Sequence, residues 1–412
     1  MNERAQHHPP GSNLVVLAVL AVVSLAGRGF AQAPDAVKQF ITGSLADKTR
    51  IIRNINPAGE SSDRVRQLPK IAINFVLTYR EDLGDSPGLD ELFLAAVEKL
   101  DTGDPAADVA LLVYLLSTVD SPAAEGAVTA KLYTFAQTRA GAARYAVPAL
   151  NTFLKDNAPG TGPRKEAVLT AIKALTLCGD SSSFPVLLSY ALQSPDTDAG
   201  IAARQALLSI TDGFETNASR AISELPMPEK LFVFRIIQEN SKISPNFKAK
   251  CAEIALSQAI SIVKASNGAV PPAVIALQDE ALIAIVAHDW TPSSALVLSL
   301  FPIARNEYET GALSEAQFIA VIKANAALGI SGAGRVLSRY LADLNSITGR
   351  AALGTAEPET VSAAVVLALI NTLGDLGDKT AFDDLLYVTY LNNYGNEIIR
   401  SARAALEKLK LQ

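Results

Sequence analysis

The chain is predicted to be all-α, a stack of antiparallel helix pairs of the α-solenoid kind. Three observations point there. Apolar residues recur at helical period, no stretch alternates as a strand would, and one helix–turn–helix pattern returns along the 412 residues. The clearest copy runs from Glu359 to Gln412. Val365, Ala368, Leu369, Thr372, Leu373 and Leu376 form one apolar stripe on its first helix. Gly377 ends that helix, because a residue without a β-carbon takes a left-handed cap at little cost. Asp378 is placed to cap the next helix by accepting its free amide hydrogens. Phe382, Leu385, Leu386 and Thr389 make a second stripe. Ile398, Ile399, Ala402, Ala405, Leu406 and Leu409 make a third. No single helix can hide its own stripe, so each must lie on a neighbour.

The same grammar recurs upstream. A shift of 198 residues lays Gly179-Asp180 on Gly377-Asp378, Phe184 on Phe382 and Leu187-Leu188 on Leu385-Leu386. Helix starts repeat at Ala143-Arg144-Tyr145-Ala146-Val147, Ala203-Arg204-Gln205-Ala206-Leu207 and Ala402-Arg403-Ala404-Ala405-Leu406. The first two are 60 residues apart. A fainter copy begins at Leu328-Gly329. These motifs, the turn Leu373, Leu376, Gly377, Asp378 above all, resemble the HEAT-repeat family and its bacterial HEAT-like members. The resemblance covers residues 106–212 and 316–412 and lapses at 213–315, where the spacing drifts. It implies an armadillo-like helical array and pairing of Arg144, Arg204 and Arg403 with acidic or carbonyl groups at repeat junctions.

The chain in order divides into an export signal (1–33), an N-terminal helical capping region (34–104) and the repeat array (105–412). In the first segment, Arg4 and the amino terminus precede an apolar run of 13 residues, Leu14 to Ala26, too short to span a bilayer comfortably. Ala31-Gln32-Ala33 has the small-x-small form of a cleavage site. Cleavage after Ala31 or Ala26 and an uncleaved anchor stay open. The segment carries Glu3, Arg4 and Arg28, so a net charge of −6 becomes −7 without it. An acidic chain lacks the basic footprint that nucleic acid requires. In the capping region, Ser62 or Asp63 opens a helix whose stripe is Val65, Leu68, Ala72, Phe75, Val76 and Tyr79. Arg50, Arg53, Arg64, Arg66 and Lys70 around it are either a docking face or the solvated side of a cap repeat, and the second is favoured. Polar–proline pairs at Asp104-Pro105, Ser121-Pro122, Ser244-Pro245 and Thr291-Pro292 mark further helix starts. Longer loops are expected at Asn157 to Pro163, Ala265 to Pro272 and Asn345 to Pro358. The last is the candidate for a partner-contacting insert.

The residue patterns assign no catalytic, cofactor-binding or metal-binding residue. His7 and His8 leave with the signal, so His288 is the one histidine of the mature chain, and it reads as a helix-end residue. Cys178 and Cys251 read as core thiols, with a disulfide open in an oxidising compartment. Asp196 to Gly200 lacks the ligand set of a calcium loop and reads as a turn capped by Asp198. Gly329 to Gly334 follows a helix and precedes no Lys-Ser/Thr, so it is not a phosphate cradle. Tyr387, Tyr390 and Tyr394, at i, i+3 and i+7, form either an exposed protein-contact surface or a flap over the last helix. Tyrosine suits contact faces through its large apolar area and polar tip.

The expected function is that of a non-enzymatic exported scaffold or adaptor, periplasmic or secreted, that holds an unidentified protein partner without nucleic acid, cofactor or membrane span. The alternatives are a HEAT-like lyase or chaperone-type protein acting on a bound substrate, and a membrane-tethered structural protein if the signal is kept.

Overall fold

A computed structural model describes residues 35–59, 62–83, 86–157, 162–266, 270–352 and 361–411. The expected signal segment, His7 and His8 lie outside them. Among the described residues the helices are all α or short 3-10 turns, and there are no strands. Contacts divide the chain into two compact units, up to Asp212 and from Gly213. Gly213 has φ +71°, a left-handed backbone that opens the next helix. It stands where the repeat spacing begins to drift.

The first unit holds α1 (Asp35–Thr42), α2 (Leu45–Asn54), α3 (Asp63–Arg66), α4 (Leu68–Leu83), α5 (Pro87–Lys99), α6 (Pro105–Thr118), α7 (Pro122–Thr138), α8 (Ala140–Ala143), α9 (Val147–Asp156), α10 (Lys165–Cys178), α11 (Phe184–Gln193) and α12 (Asp198–Ser209). α2, α5, α7, α10 and α12 pack each on the next, and α6, α9 and α11 form a second row against them. The second unit holds α13 (Phe214–Glu224), α14 (Met227–Glu239), α15 (Pro245–Ala265), α16 (Pro272–Ala287), α17 (Ser294–Glu309), α18 (Glu315–Ala327), α19 (Ala333–Ala352), α20 (Ala363–Leu376), α21 (Phe382–Val388) and α22 (Asn396–Leu411). α14, α16, α18, α20 and α22 form one row. α13, α15 and α17 pack in succession, as do α19 and α21. In each unit neighbours in sequence are neighbours in space, the packing of an all-α helical repeat.

The predicted stripes supply the core. Val365, Ala368, Leu369, Thr372 and Leu373 are buried, as are Ile398, Ala402, Ala405, Leu406 and Leu409. Each fully buried large aliphatic side chain contributes roughly 1.5–3 kcal/mol over its exposed state. The Gly-Asp turn repeats in detail. Gly179 and Gly377 are left-handed at φ +61° and +68°, and their amides donate to Leu175 and Leu373 carbonyls. Asp180 accepts from the Ser182 amide and Asp378 from the Thr380 amide. Each aspartate thus caps a 3-10 turn that leads into α11 or α21, rather than the α-helix itself. The match is incomplete in packing: Phe184 is buried, whereas Phe382 lies at the rim and Leu385 and Val388 fill the core below it.

Helix ends are closed by side chains. Asp104, Ser121 and Ser244 accept first-turn amides and are each followed by proline at the first helical position. At the other end the donors are often lysines. Lys48 Nζ donates to the Ile41 and Gly43 carbonyls at 3.2 and 2.6 Å, closing α1. Lys131 reaches Glu98 at 2.8 Å, closing α5. Lys230 reaches Ile222 and Ser223, both at 2.6 Å, closing α13, and Lys248 reaches Gln238 at 2.6 Å, closing α14. The last carbonyls of a helix lack partners of their own and attract cations. Burial lowers the pKa of Lys48, Lys131 and Lys230. The direct bonds from the charged amine to carbonyl oxygens offset that penalty.

Several local expectations are corrected. The helix expected from Ser62 is broken at Gln67 into α3 and α4, Ser62 makes no capping bond, and Tyr79 falls outside the buried stripe. Of the basic residues around that stripe, Arg50, Arg53 and Arg66 stand beside Asp47, Glu91 and Asp63 at the surface. Thr197, not Asp198, caps α12, and Asp198 pairs with Lys165 at 3.1 Å. Thr291-Pro292 opens a 3-10 turn, and α17 begins at Ser294. Asn345 to Ala352 is helical, the last turns of α19, because Leu344, Asn345 and Thr348 are buried on its inner face. The rest of that expected loop lies outside the described residues, as do 158–161 and 267–269 of the other two. Cys178 and Cys251 are free and buried. Arg144, Arg204 and Arg403 are all exposed, and the Arg144 charge helps hold Asp180 below the usual carboxylate range, after its hydrogen bonds with Ser182.

Two glycines test this packing in opposite directions. A β-carbon on Gly200 would stand 1.8 Å from the Ser194 carbonyl oxygen, whereas one on Gly126 in α7 meets nothing within 4 Å. Gly200→Ala is expected to lose about 1–3 kcal/mol. Gly126→Ala is expected to gain about 0.5–1 kcal/mol. Urea unfolding followed by circular dichroism measures both.

Candidate interaction surface

In the second unit, α19 and α21 enclose an open groove of about 550 Å³. Ala342, Ser346, Gly349 and Arg350 line one wall, and Tyr387 and Leu391 the other. Tyr387 crosses the groove beside Gly349, since a β-carbon there would lie 3.5 Å from the Tyr387 hydroxyl. Tyr387 is 49% exposed and Tyr390 70%.

Beneath the groove a polar network fastens α21 to α19. Asn345 is 1% exposed. Its Nδ2 donates to the Asp384 carbonyl at 3.1 Å, and its Oδ1 accepts from the Tyr394 hydroxyl at 3.1 Å. Ser338 Oγ donates to the Asp384 carboxylate. Burial pushes the Tyr394 hydroxyl pKa up, partly offset by its hydrogen bond with Thr348. Asp378 sits against the first turn of α19, where a β-carbon on Gly334 would come within 2.2 Å of its carboxylate. These contacts hold the exposed tyrosines on a rigid base.

The three tyrosines therefore divide. Tyr387 and Tyr390 share the exposed side, but Tyr394 is 5% exposed and belongs to the network. The spacing i, i+3, i+7 assumed one continuous helix. α21 instead ends at Val388, and the Tyr390 and Leu391 amides donate to carbonyls three residues back. That tightening turns the chain inward and delivers Tyr394 to Asn345. His288 lies at the end of α16, where its amide donates to the Ala284 carbonyl. Among the described residues no group of three or more His, Cys, Asp or Glu is placed to hold a metal ion.

One feature of the first unit escaped the sequence reading. A groove of about 670 Å³ is lined by Tyr114, Asp120, Glu125, Phe153, Asp156 and Arg164. Arg164 donates to Glu125 at 2.6 Å and Asp120 at 2.7 Å, which lets the Glu125 carboxylate remain buried. Glu125 and Arg164 are 39 residues apart, and nothing in their local sequence pairs them. Tyr114, the one aromatic residue of α6, lines this groove and is 48% exposed.

No family model matches the chain, and no curated protein matches it.

Asn345→Ala is expected to lose about 1–3 kcal/mol by leaving the Asp384 carbonyl and the Tyr394 hydroxyl without their partner. Faster amide exchange across residues 382–394, with a lower urea midpoint from Trp290 fluorescence, checks this.

Proposed function

We propose that the chain is an exported, non-enzymatic scaffold or adaptor of the HEAT-like α-solenoid kind, which grips a protein partner through the surface at Tyr387 and Tyr390. The observation that carries this reading is the exposure of two tyrosines, Tyr387 in the groove on a helix pinned by a hydrogen-bond network and Tyr390 in the turn just beyond it. Rigid aromatic anchors on a preorganised base bind with little loss of conformational entropy. The repeat motifs favour a helical array, which presents long faces to partners. The formal charge of −6 favours protein over nucleic acid. Among the described residues no helix is long and apolar enough to cross a membrane. The N-terminal run and its Ala-x-Ala site favour export, with the mature chain beginning after Ala26, Ala31 or Ala33.

Photo-cross-linking tests the surface. A photoreactive phenylalanine at position 390 is expected to give one discrete adduct in cells. The same probe at position 145, where Tyr145 is 74% exposed in the first unit, gives background only. Tyr387→Ala is expected to weaken the adduct at least tenfold with the urea midpoint unchanged, because loss of an interface anchor costs about 2 kcal/mol or more. Equal adducts at both positions would overturn the assignment. N-terminal sequencing of the protein from the cell envelope tests export.

A further inference from the structure

A second polar feature lies in the same unit, where α16, α17 and α18 meet. There a small pocket of about 10 Å³ is walled by Leu282, Leu300, Ala304, Leu313 and Val321. Two polar side chains are buried in it, Gln278 at 3% and Glu307 at 2% exposure. Gln278 Nε2 donates to both Glu307 carboxyl oxygens, at 3.3 and 3.0 Å. Gln278 Oε1 has no hydrogen-bond partner. A carboxylate leaves that oxygen orphaned. A neutral carboxylic acid does not, because its O–H can donate to the amide oxygen while its other oxygen accepts from the amide nitrogen.

The surrounding charges do not favour ionisation. On α16, Asp279 lines the pocket, and Glu280 is engaged by Arg235 of α14. On α17, Arg305 is taken up by Glu309, Asp343 and the Tyr340 ring, and Tyr308 stacks on Phe318. α15, which packs on α16 and α17, brings Glu253, held by Trp290 Nε1 at 2.7 Å. On α18, Gln317 accepts from Ser314. No lysine or arginine lines the pocket. The Glu307 main chain meanwhile ties down the turn into α18, since its carbonyl accepts from the Ala312 and Leu313 amides at 2.8 and 3.0 Å.

We infer that Glu307 is a pH-responsive latch: as a neutral acid it holds the α17–α18 turn closed against α16, and as a carboxylate it releases that turn. Burial pushes its carboxyl above the ordinary range, with the Gln278 bond a smaller opposing effect. The sign follows. A carboxyl with a raised folded-state pKa contributes stability that is complete below its unfolded pKa and lost as pH rises through the folded one.

Amide exchange at Ala312 and Leu313, with Trp290 fluorescence for global unfolding, reads the latch from about pH 4 to about pH 8. Protection in the wild type relative to Glu307→Gln is expected to fall by up to about tenfold per pH unit within the window. Glu307→Gln keeps an amide in place of the acid and has no proton to lose there. Gln278→Lys supplies the missing cation, and the fall should move to lower pH. A wild-type to Glu307→Gln ratio that stays flat across the range, or a fall that Gln278→Lys does not move, would overturn the inference.

Discussion

The carbonyl ends of these helices are closed by side chains that arrive from a following helix, and the stacking depends on that exchange. Lys48, Lys131, Lys230 and Lys248 each satisfy carbonyls that an isolated helix would leave to water. Tyr190 and Ser209 do the same for α9 and α10, through the Leu154 and Thr176 carbonyls. The apolar stripes supply most of the driving force, but they are slippery. Directed bonds at the helix ends fix which turn lies on which, as hydrophobic contact alone does not.

The same logic explains why the candidate surface is firm. α21 is only seven residues long, too short to be stable alone. It is shaped by Asn345, Ser338 and Tyr394, which bond it to α19 along its inner side. Tyr387 leans across the groove and stays half-exposed, and Tyr390 follows just beyond the helix end. The helix that presents the proposed contact is thus held by polar bonds beneath and makes no demand on its outward residues.

What the sequence made legible was local. Gly377-Asp378 and Gly179-Asp180 announce their turns because left-handed glycine and a capping carboxylate act within a few residues. Misreadings arose where a distant partner decided the outcome. Thr197 takes the cap position of α12, and Asp198, one residue into the helix, meets Lys165 instead. Asn345 to Ala352 looks like the start of a loop by the Gly, Ala and Thr content of the segment it opens, yet burial of Leu344 and Thr348 keeps it helical. Tyr394 turns inward for a bond with a residue 49 positions earlier. The Glu125–Arg164 and Gln278–Glu307 pairs were invisible for the same reason. The all-α class needed only periodicity, whereas the site needed these pairings.

Those pairings share a length scale that bears on how the chain reaches its native state. Arg139 meets Asp101 across 38 residues, Arg235 meets Glu280 across 45, and Lys408 meets Asp375 across 33. Each link closes a loop of modest size, and loop-closure entropy grows slowly with length. Links of this range join helices that are near in sequence, so each can close without any contribution from the far end of the polypeptide.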